Sequence, residues 1–354
     1  MNEQTAPSVP EETVPFQQWP KVELHRHLEG SVRFETAWQW ARKNPALAHL
    51  EQEKLRRLIE FDGVRDFAHF LGRFRVLRQL YTAPDAVRQV AREAVEDAAL
   101  ENIRYLELRF SPDHFASHAG FDMEDVASWI LEAARAAAHD HGVEVRFLLT
   151  IARNYDFQTA SRILSIALRF RDLGIVGLDL AGNELMYPAE PFVELFVRAR
   201  EEGLGITVHA GEAGTAAHVW EAIDRLGAHR IGHGIRSADD PKLLEELRRR
   251  NISLEVCLTS NVQTGVVPSL AEHPLPRLLE ARVPVVLCSD DPRVSRITLT
   301  DEWYNALQLG LSVEALTHLT MQAVEHTFLP ADEKRGLRQR LAAEIASLIP
   351  GRPS

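Results

Sequence analysis

The sequence predicts an α/β protein built as a single (β/α)8 barrel of the TIM type, with extra helices after the first strand and at the C-terminal end. Short segments rich in β-branched residues and leucine alternate along the chain with amphipathic segments at helical spacing. Eight strand segments can be counted, and their alternation with helices implies parallel pairing, which eight such units close into a barrel. A chain of 354 residues could hold two average domains, but barrels of this length commonly form one.

The predicted strands are short and distributed over most of the chain. The second, I-R-Y-L-E-L-R-F, alternates polar and apolar residues as a strand does. The eight strands are predicted at Lys21–His25, Ile103–Phe110, Val143–Ile151, Val176–Leu180, Ile206–His209, Arg230–His233, Ser253–Cys257 and Val283–Ser289.

A helical insertion follows the first strand. Its phenylalanines, including Phe67 and Phe74, recur at three-to-four spacing and therefore lie on one helix face. We interpret this face as core, with the lid of an apolar pocket as the alternative. The predicted helices are Val32–Lys43, one around Leu55–Ile59, one around Val64–Leu77, Asp85–Leu100, Met123–His141, Thr159–Arg171, Pro191–Glu202, Ala216–Leu226, Pro241–Arg250, and three that begin at Thr300, Val313 and Asp332.

Composition restricts the function classes. The hydrophobic fraction of 45% and the charged fraction of 26% are ordinary for soluble globular proteins. A net charge of -11 argues against nucleic-acid binding, no run of residues is long and apolar enough to span a bilayer, and small-molecule partners are favoured. With only two cysteines and no signal-peptide pattern, a cytoplasmic location is expected, while the oligomeric state stays open. Residues 1–19 are expected to form a flexible tail and residues 20–350 the barrel domain.

Polar residues collect where four of the predicted strands end. His25 and His27 close the first strand and project to the same side, because strand side chains alternate. The motifs H-A-G-E, G-H-G and S-D-D-P follow the fifth, sixth and eighth strands, and in a barrel all these ends face one mouth. Together with His209, His25 and His27 supply three imidazole nitrogens. One aspartate of Asp290–Asp291 adds an oxygen, which completes an open, catalytic type of metal site.

A metal site that activates water needs a base to orient the nucleophile and an acid to protonate the substrate. Glu212 and His233 are the candidates for these roles. Each residue also has a structural interpretation: Glu212 as a helix cap, His233 as a satisfied buried histidine, and Asp290–Asp291 as a turn before Pro292. The coincidence of four clusters at four strand ends favours the catalytic interpretation.

The motifs H-x-H-L-E-G-S, D-L-A-G-N-E, T-V-H-A-G-E-A, R-I-G-H-G and S-D-D-P resemble those of the adenosine deaminase family of the amidohydrolase superfamily, and C-L-T-S-N-V-Q-T resembles its bacterial branch. The resemblance covers nearly the whole chain from Lys21 onward. It implies hydrolytic loss of ammonia from C6 of an aminopurine, converting adenosine and 2′-deoxyadenosine to inosine products. It also implies one Zn²⁺ per chain, with Fe, Mn or Ni as alternatives, bound by His25, His27, His209 and Asp290.

The same resemblance assigns roles to the remaining site residues. Glu212 would protonate the purine at N1, and His233 would orient the attacking hydroxide. Asp291 and the backbone of Gly182 would bind ring nitrogens. These roles agree with the chemistry, since an aromatic ring accepts hydroxide only after a ring nitrogen is protonated.

Glu29 stands where many family members have aspartate, at the position that the resemblance assigns to the ribose end of the substrate. The longer side chain leaves adenine or a modified nucleoside such as aminodeoxyfutalosine as alternative substrates. A catalytically silent purine-nucleoside binder is a further alternative, which the complete set of acid, base and ligand residues disfavours. Strand alternation turns Arg26 away from the pocket, so we expect it to form a structural ion pair.

Overall fold

The computed structural model describes residues 15–348 and contains one eight-stranded sheet. The strands are β1 Lys21–His27, β2 Ile103–Phe110, β3 Glu144–Ala152, β4 Ile175–Ala181, β5 Gly205–Ala210, β6 Arg230–His233, β7 Ser253–Val256 and β8 Val285–Leu287. Each strand pairs in parallel with the next along the chain. Backbone bonds between Asp290, just after β8, and both His25 and His27 of β1, each 2.8 Å long, close the ring. The predicted (β/α)8 barrel is confirmed.

Helices surround the sheet, with extra helices after β1 and at the C-terminal end, as predicted. The helices are α1 Phe34–Ala41, α2 Gln52–Ile59, α3 Phe67–Leu77, α4 Pro84–Leu100, α5 Pro112–Ala116, α6 Met123–His141, α7 Phe157–Arg169, α8 Val193–Glu201, α9 Ala216–Asp224, α10 Pro241–Arg250, α11 Leu258–Gln263, α12 Leu275–Glu280, α13 Pro292–Ser295, α14 Leu299–Gln308, α15 Val313–Glu325 and α16 Ala331–Leu348. No helix within residues 15–348 is long and apolar enough to cross a membrane.

The helices whose bounds are predicted correctly from the sequence are those with clear capping residues at both ends. Helix α6 has its predicted bounds because the Asp122 side chain accepts from the Glu124 N–H at one end and Gly142 adopts a left-handed conformation at the other. Helix α10 likewise has its predicted bounds, because the Asp240 side chain accepts from the Lys242 N–H before its start and Asn251 adopts a left-handed conformation after its end. The short helices α5, α11, α12 and α13, of four to six residues, are too brief to show a period and were not predicted.

The end of the predicted N-terminal tail is packed against the barrel. Residues 1–14 of that tail and residues 349–350 of the predicted domain lie outside the described residues. Phe16 and Trp19 are buried and contact Trp303 of α14, with ring centroids 5.4 and 6.4 Å away. Residues 15–19 are therefore not part of a loose tail, because their aromatic side chains cover the outside of the barrel.

Candidate active site

One cavity of about 400 Å³ lies at the C-terminal mouth of the barrel. Eight of the nine predicted site residues line it, and they are His27, Glu29, Gly182, His209, Glu212, His233, Asp290 and Asp291. The ninth, His25, is completely buried directly behind, with its Nε2 atom 3.3 Å from Oδ1 of Asp290. The strand ends thus bring all nine residues to one place.

Four side chains converge on a single point between β1, β5 and the end of β8. The Nε2 atoms of His27 and His209 are 3.1 Å apart, and Nε2 of His27 is 3.4 Å from Oδ1 of Asp290. Together with His25, these residues form a group that could hold one metal ion. Nε2 of His25 is buried without a hydrogen-bond partner, as expected of an atom reserved for a cation.

Carboxylates behind the histidines determine which ring nitrogens face this point. Nδ1 of His25 lies 2.7 Å from Oε2 of Glu255, and Nδ1 of His209 lies 3.0 Å from Oδ1 of Asp179. A carboxylate can only accept a hydrogen bond, so each Nδ1 carries the hydrogen and donates it. The lone pair of each neutral imidazole is therefore on Nε2. Both histidines are therefore oriented to bind a metal through Nε2.

A second candidate metal group combines His25 and Asp290 with His233 and Cys257. Burial raises the pKa of the Cys257 thiol well above its ordinary value. Since a metal binds the thiolate, a thiol that stays protonated is a poor ligand. This argument favours the set with three histidines and one aspartate.

The barrel interior below the site holds a network of buried charges. Arg109 donates to Oε2 of Glu255 at 2.8 Å and lies 3.4 Å from Oδ2 of Asp179. Arg230 donates to Oε1 of Glu255 at 2.6 Å and to Oε2 of Glu107 at 2.6 Å. All five side chains are fully buried or nearly so, and the arginines fix the carboxylates that in turn fix the histidines.

The loop after β8 presents two adjacent carboxylates to the cavity. Asp290 adopts a left-handed backbone conformation with φ of 62°, and Oδ1 of Asp291 is buried without a partner. Asp291 packs directly against Gly30, where any Cβ atom would lie 1.9 Å from Oδ1. Glycine at position 30 is thus required for Asp291 to reach the pocket. Burial, with repulsion from Asp290, raises the pKa of Asp291 well above its ordinary value.

Glu212 is held at the cavity wall by its own loop. The carboxylate of Glu184 accepts the backbone N–H groups of Gly211, Glu212 and Gly214 at 2.9, 2.9 and 2.7 Å. The N-cap of α9 is Thr215, which excludes the interpretation of Glu212 as a helix cap. Burial, followed by repulsion from Asp290 and Glu184, raises the pKa of Glu212 well above its ordinary value.

His233 is oriented by a hydrogen-bond relay. The Leu275 N–H donates to Nδ1 of His273 at 3.1 Å, which leaves the proton of that ring on Nε2, 3.1 Å from Oδ1 of Asn261. The Asn261 amide then donates from Nδ2 to Nδ1 of His233 at 3.2 Å. His233 therefore carries its proton on Nε2, which points toward Glu212 at 3.7 Å and Asp290 at 3.9 Å. Burial lowers the pKa of His233 well below its ordinary value and keeps the ring neutral.

Glu29 lies farther along the same wall. Its Oε1 atom accepts the Ser111 N–H at 2.7 Å, whereas Oε2 is buried without a partner. Burial is the main cause that raises the pKa of Glu29 to about 7. The hydroxyls of Ser111 and Tyr155, 2.9 Å apart, add polar groups at this level of the cavity.

Helix α3 covers the outer part of the cavity. Phe67, Leu71 and Phe74 line it, while Leu77, at 1% exposure, belongs to the core. Phe74 also packs against the core, so the prediction that this helix face is core was wrong only for Phe67 and Leu71 among these residues. A helical period shows an apolar face but not what that face contacts. Arg26 pairs with Glu101 at 2.8 Å, away from the cavity, which confirms its predicted structural role.

Several residues that shape the site were missed in the sequence. Asp179 and Glu255 sit inside β4 and β7, between apolar neighbours, and an acidic residue in the middle of a buried strand is the signal that could have found them. Glu184 lies in the quoted motif D-L-A-G-N-E but received no role. Asn261 lies in the quoted motif C-L-T-S-N-V-Q-T but received no role. His273 carries no local signal, because its function depends on a contact between α11 and the segment before α12.

Comparisons with known proteins agree with this geometry. The family model for adenosine deaminase matches residues 20–344. The adenosine deaminase of Erwinia tasmaniensis is 39% identical over 329 residues, which cover 92% of this chain and 99% of the relative. A zinc-bound amidohydrolase from Burkholderia ambifaria aligns with a TM-score of 0.87 at 27% identity, covering 98% of this chain and 96% of its own. The adenine deaminase of Arthrobacter aurescens aligns with a TM-score of 0.84 at 29% identity, covering 92% and 99%.

The family match begins just before β1 and extends into α16, so it includes every strand end that contributes to the cavity. This chain belongs to the adenosine deaminase family.

Proposed function

We propose that the protein is a zinc-dependent hydrolytic deaminase that converts adenosine and 2′-deoxyadenosine to the corresponding inosine nucleosides and ammonia. The observation that carries this proposal is the convergence of four potential ligands beside the buried carboxyl of Glu212 in one cavity. The family relationship supports the same reaction class. Water is the co-substrate, and its oxygen replaces the 6-amino group.

The donor set fits zinc. A tetrahedral zinc ion with bonds of about 2.0–2.2 Å to nitrogen and oxygen holds its ligand atoms about 3.3–3.6 Å apart. The three measured separations among His25, His27, His209 and Asp290 are 3.1, 3.3 and 3.4 Å. The zinc reported for the Burkholderia relative supports this choice. When bound, zinc would supply Lewis-acid activation of water at neutral pH.

The protein's own residues supply the proton transfers and the orientation. Glu212 donates its proton to N1 of the purine, which makes C6 electrophilic. His233, with its proton on Nε2, donates a hydrogen bond to the attacking oxygen and holds it over C6. Asp291 and the Gly182 backbone bind other ring nitrogens and fix the plane of the base. Of the two protons of the attacking water, one passes to the 6-amino group and the other returns to Glu212. The C6–N bond then breaks, ammonia leaves, and the oxygen remains on C6 as the oxo group.

Asn261→Asp is expected to lower kcat more than Asn261→Ala, although aspartate is the closer match in shape. A carboxylate can only accept, so it would draw a proton onto Nδ1 of His233, reverse the tautomer and raise the pKa of the ring. Alanine merely removes the donor and is expected to cost about 10–100-fold in kcat. Steady-state kinetics across pH, with thermal unfolding as the control for folding, measure both effects. Equal activity of the wild type and Asn261→Asp would contradict the relay.

Glu29 motivates a second candidate, a deaminase of free adenine. Its unpartnered Oε2 atom and long side chain occupy the part of the cavity where the ribose of a nucleoside would extend. The structural similarity to the Arthrobacter adenine deaminase favours the same alternative.

A substrate panel separates the two candidates. Zinc-loaded protein is supplied with adenosine, 2′-deoxyadenosine and adenine, and the conversion of the amino group to an oxo group is followed by absorbance. We expect kcat/KM for the two nucleosides to exceed that for adenine by at least about tenfold, since ribose adds hydrogen bonds that adenine lacks. A preference for adenine would replace the nucleoside proposal, and no turnover of any of the three would reject both.

The protein is proposed to act in the cytoplasm on small molecules rather than on nucleic acid. Both cysteines, Cys257 and Cys288, are buried and unpaired, which suits a reducing compartment. The net charge of -11 disfavours contact with a polyanionic backbone.

A further inference from the structure

The face of α3 that lines the cavity changes character at its C-terminal end. Phe67, Leu71 and Phe74 are followed on the same face by Arg78, which is separated from them by eleven, seven and four residues and is the C-cap of α3. Arg75 lines the cavity beside it. An apolar stripe directed at a ligand site thus ends in two guanidinium groups.

Neither guanidinium group forms a hydrogen bond or a salt bridge with a carboxylate among residues 15–348. Arg78 is half-buried, and its Nε atom is fully shielded without a hydrogen-bond partner. Arg75 is exposed, and its guanidinium group forms no hydrogen bond or ion pair with the part of the chain described here. By contrast, Arg73 on the opposite side of the same helix pairs with Asp62 at 2.7 Å. Two guanidinium groups thus line the cavity without a salt bridge, in a chain whose net charge is -11. Both are available to bind an external anion.

The position of Arg78 places this site beyond the ribose end of the cavity. Glu29, Asp291 and Arg78 line the same cavity, and Glu29 interacts electrostatically with both of the other two residues. The Arg78 charge also acts on His114 and Tyr155, both of which line the cavity. A purine bound at Asp291 and Glu212 would therefore direct its sugar past Glu29 toward the arginines.

We propose that this end of the cavity is an anion subsite, in which Arg78, aided by Arg75, binds a carboxylate or phosphate carried on the ribose side of an adenine nucleoside. Phe67, Leu71 and Phe74 pack against the apolar part of the substituent that carries the anion. The proposal rests on the deaminase function proposed above and extends it by naming the substrate class. A neutral nucleoside such as adenosine occupies the site without using the two arginines.

The test measures kcat/KM of the zinc-loaded protein for four nucleosides. They are adenosine, 5′-methylthioadenosine, adenosine 5′-monophosphate and adenosine 5′-carboxylic acid. We expect kcat/KM for the phosphate or the carboxylate to exceed that for both neutral nucleosides by at least about tenfold. Which of the two anions is preferred identifies the chemistry of the substituent. In Arg78→Gln the ratio of anionic to neutral kcat/KM is expected to fall by a similar factor.

Arg57→Gln is the matched control, because it removes one arginine charge from the neighbouring helix α2 at a side chain that is 70% exposed and does not line the cavity. It should keep the wild-type ratio. Calorimetric binding of inosine and inosine 5′-monophosphate provides a readout that does not need turnover. The subsite proposal is overturned if the ratio of anionic to neutral kcat/KM is near one for both anions, or if Arg78→Gln leaves that ratio unchanged. In either case, turnover of adenosine would still support the deaminase function. Loss of turnover on all four nucleosides, with tighter binding of the monophosphate, would instead reject the deaminase function and retain the subsite.

Discussion

Glu212→Gln is expected to lower kcat for adenosine by about 10²–10⁴-fold, the usual range for removing a general acid. The amide preserves the shape of the side chain and the backbone bonds to Glu184, but it has no acidic proton for N1. We therefore expect zinc content, thermal stability and KM close to those of the wild type. Steady-state kinetics with metal analysis measure this, and a variant that kept more than about a tenth of the wild-type kcat would show that Glu212 is not the acid.

The pH profile gives an independent test of the same assignment. Because the pKa of Glu212 is raised, the carboxyl keeps its proton to a higher pH than an ordinary glutamate and loses it as the pH increases through that raised value. The wild-type kcat/KM should therefore decrease on the alkaline side, and the residual activity of Glu212→Gln should lack that decrease. If Glu212→Gln kept the same alkaline decrease in kcat/KM, that decrease would have to come from the titration of another group.

Glu255→Gln is expected to have the second-largest effect and to act on both stability and metal binding. Glu255 accepts hydrogen bonds from Arg109 and Arg230, and a neutral amide would leave two buried cations without their shared counter-charge. Breaking a buried charge pair costs about 3–5 kcal/mol of unfolding free energy. Losing the carboxylate behind Nδ1 of His25 should also weaken zinc binding by about 10–100-fold. Denaturant unfolding and competition with a chelator measure the two effects.

Glu107→Gln separates these effects. Glu107 pairs with Arg230 at 2.6 Å on the side away from the histidines, so its loss should destabilise the barrel while leaving zinc affinity near the wild-type value. Equal weakening of zinc binding in both variants would mean that Glu255 acts only through general stability.

Stability linked to Glu255 should also depend on pH. Although burial alone would raise it, the neighbouring Arg109 and Arg230 hold the pKa of Glu255 well below its ordinary value. A depressed folded-state pKa stabilises the protein above the ordinary carboxyl pKa, and this contribution is lost as the pH decreases below it. The wild type should therefore lose stability in acid more steeply than Glu255→Gln.

The barrel could be predicted from the sequence because each of its parts has a local signal. Strands that are buried on both sides show as short apolar runs, and capped helices such as α6 and α10 have clear ends. The strand-end location of His25, His27 and His209 then follows from the fold, since every parallel strand of a barrel ends at the same mouth.

The residues that prepare the site could not be predicted in the same way. Asp179 and Glu255 act through partners on other strands. The Asn261–His273 relay joins helix α11 to the segment before α12, and the two are brought together only by folding. The α3 face was assigned to the core for a related reason. Its apolar spacing shows that the face is covered, but only the three-dimensional structure shows that a cavity lies beneath it.

The central claim is that His25, His27, His209 and Asp290 hold one metal ion that deamination requires. It is tested most directly by removing metal with a chelator, adding zinc back in measured steps and recording adenosine turnover against bound zinc. We predict that the metal-free protein is inactive and that activity increases linearly to a plateau at one zinc per chain, with His209→Ala showing neither tight binding nor recovery. Full turnover by the metal-free protein, or a plateau reached by His209→Ala, would contradict the claim.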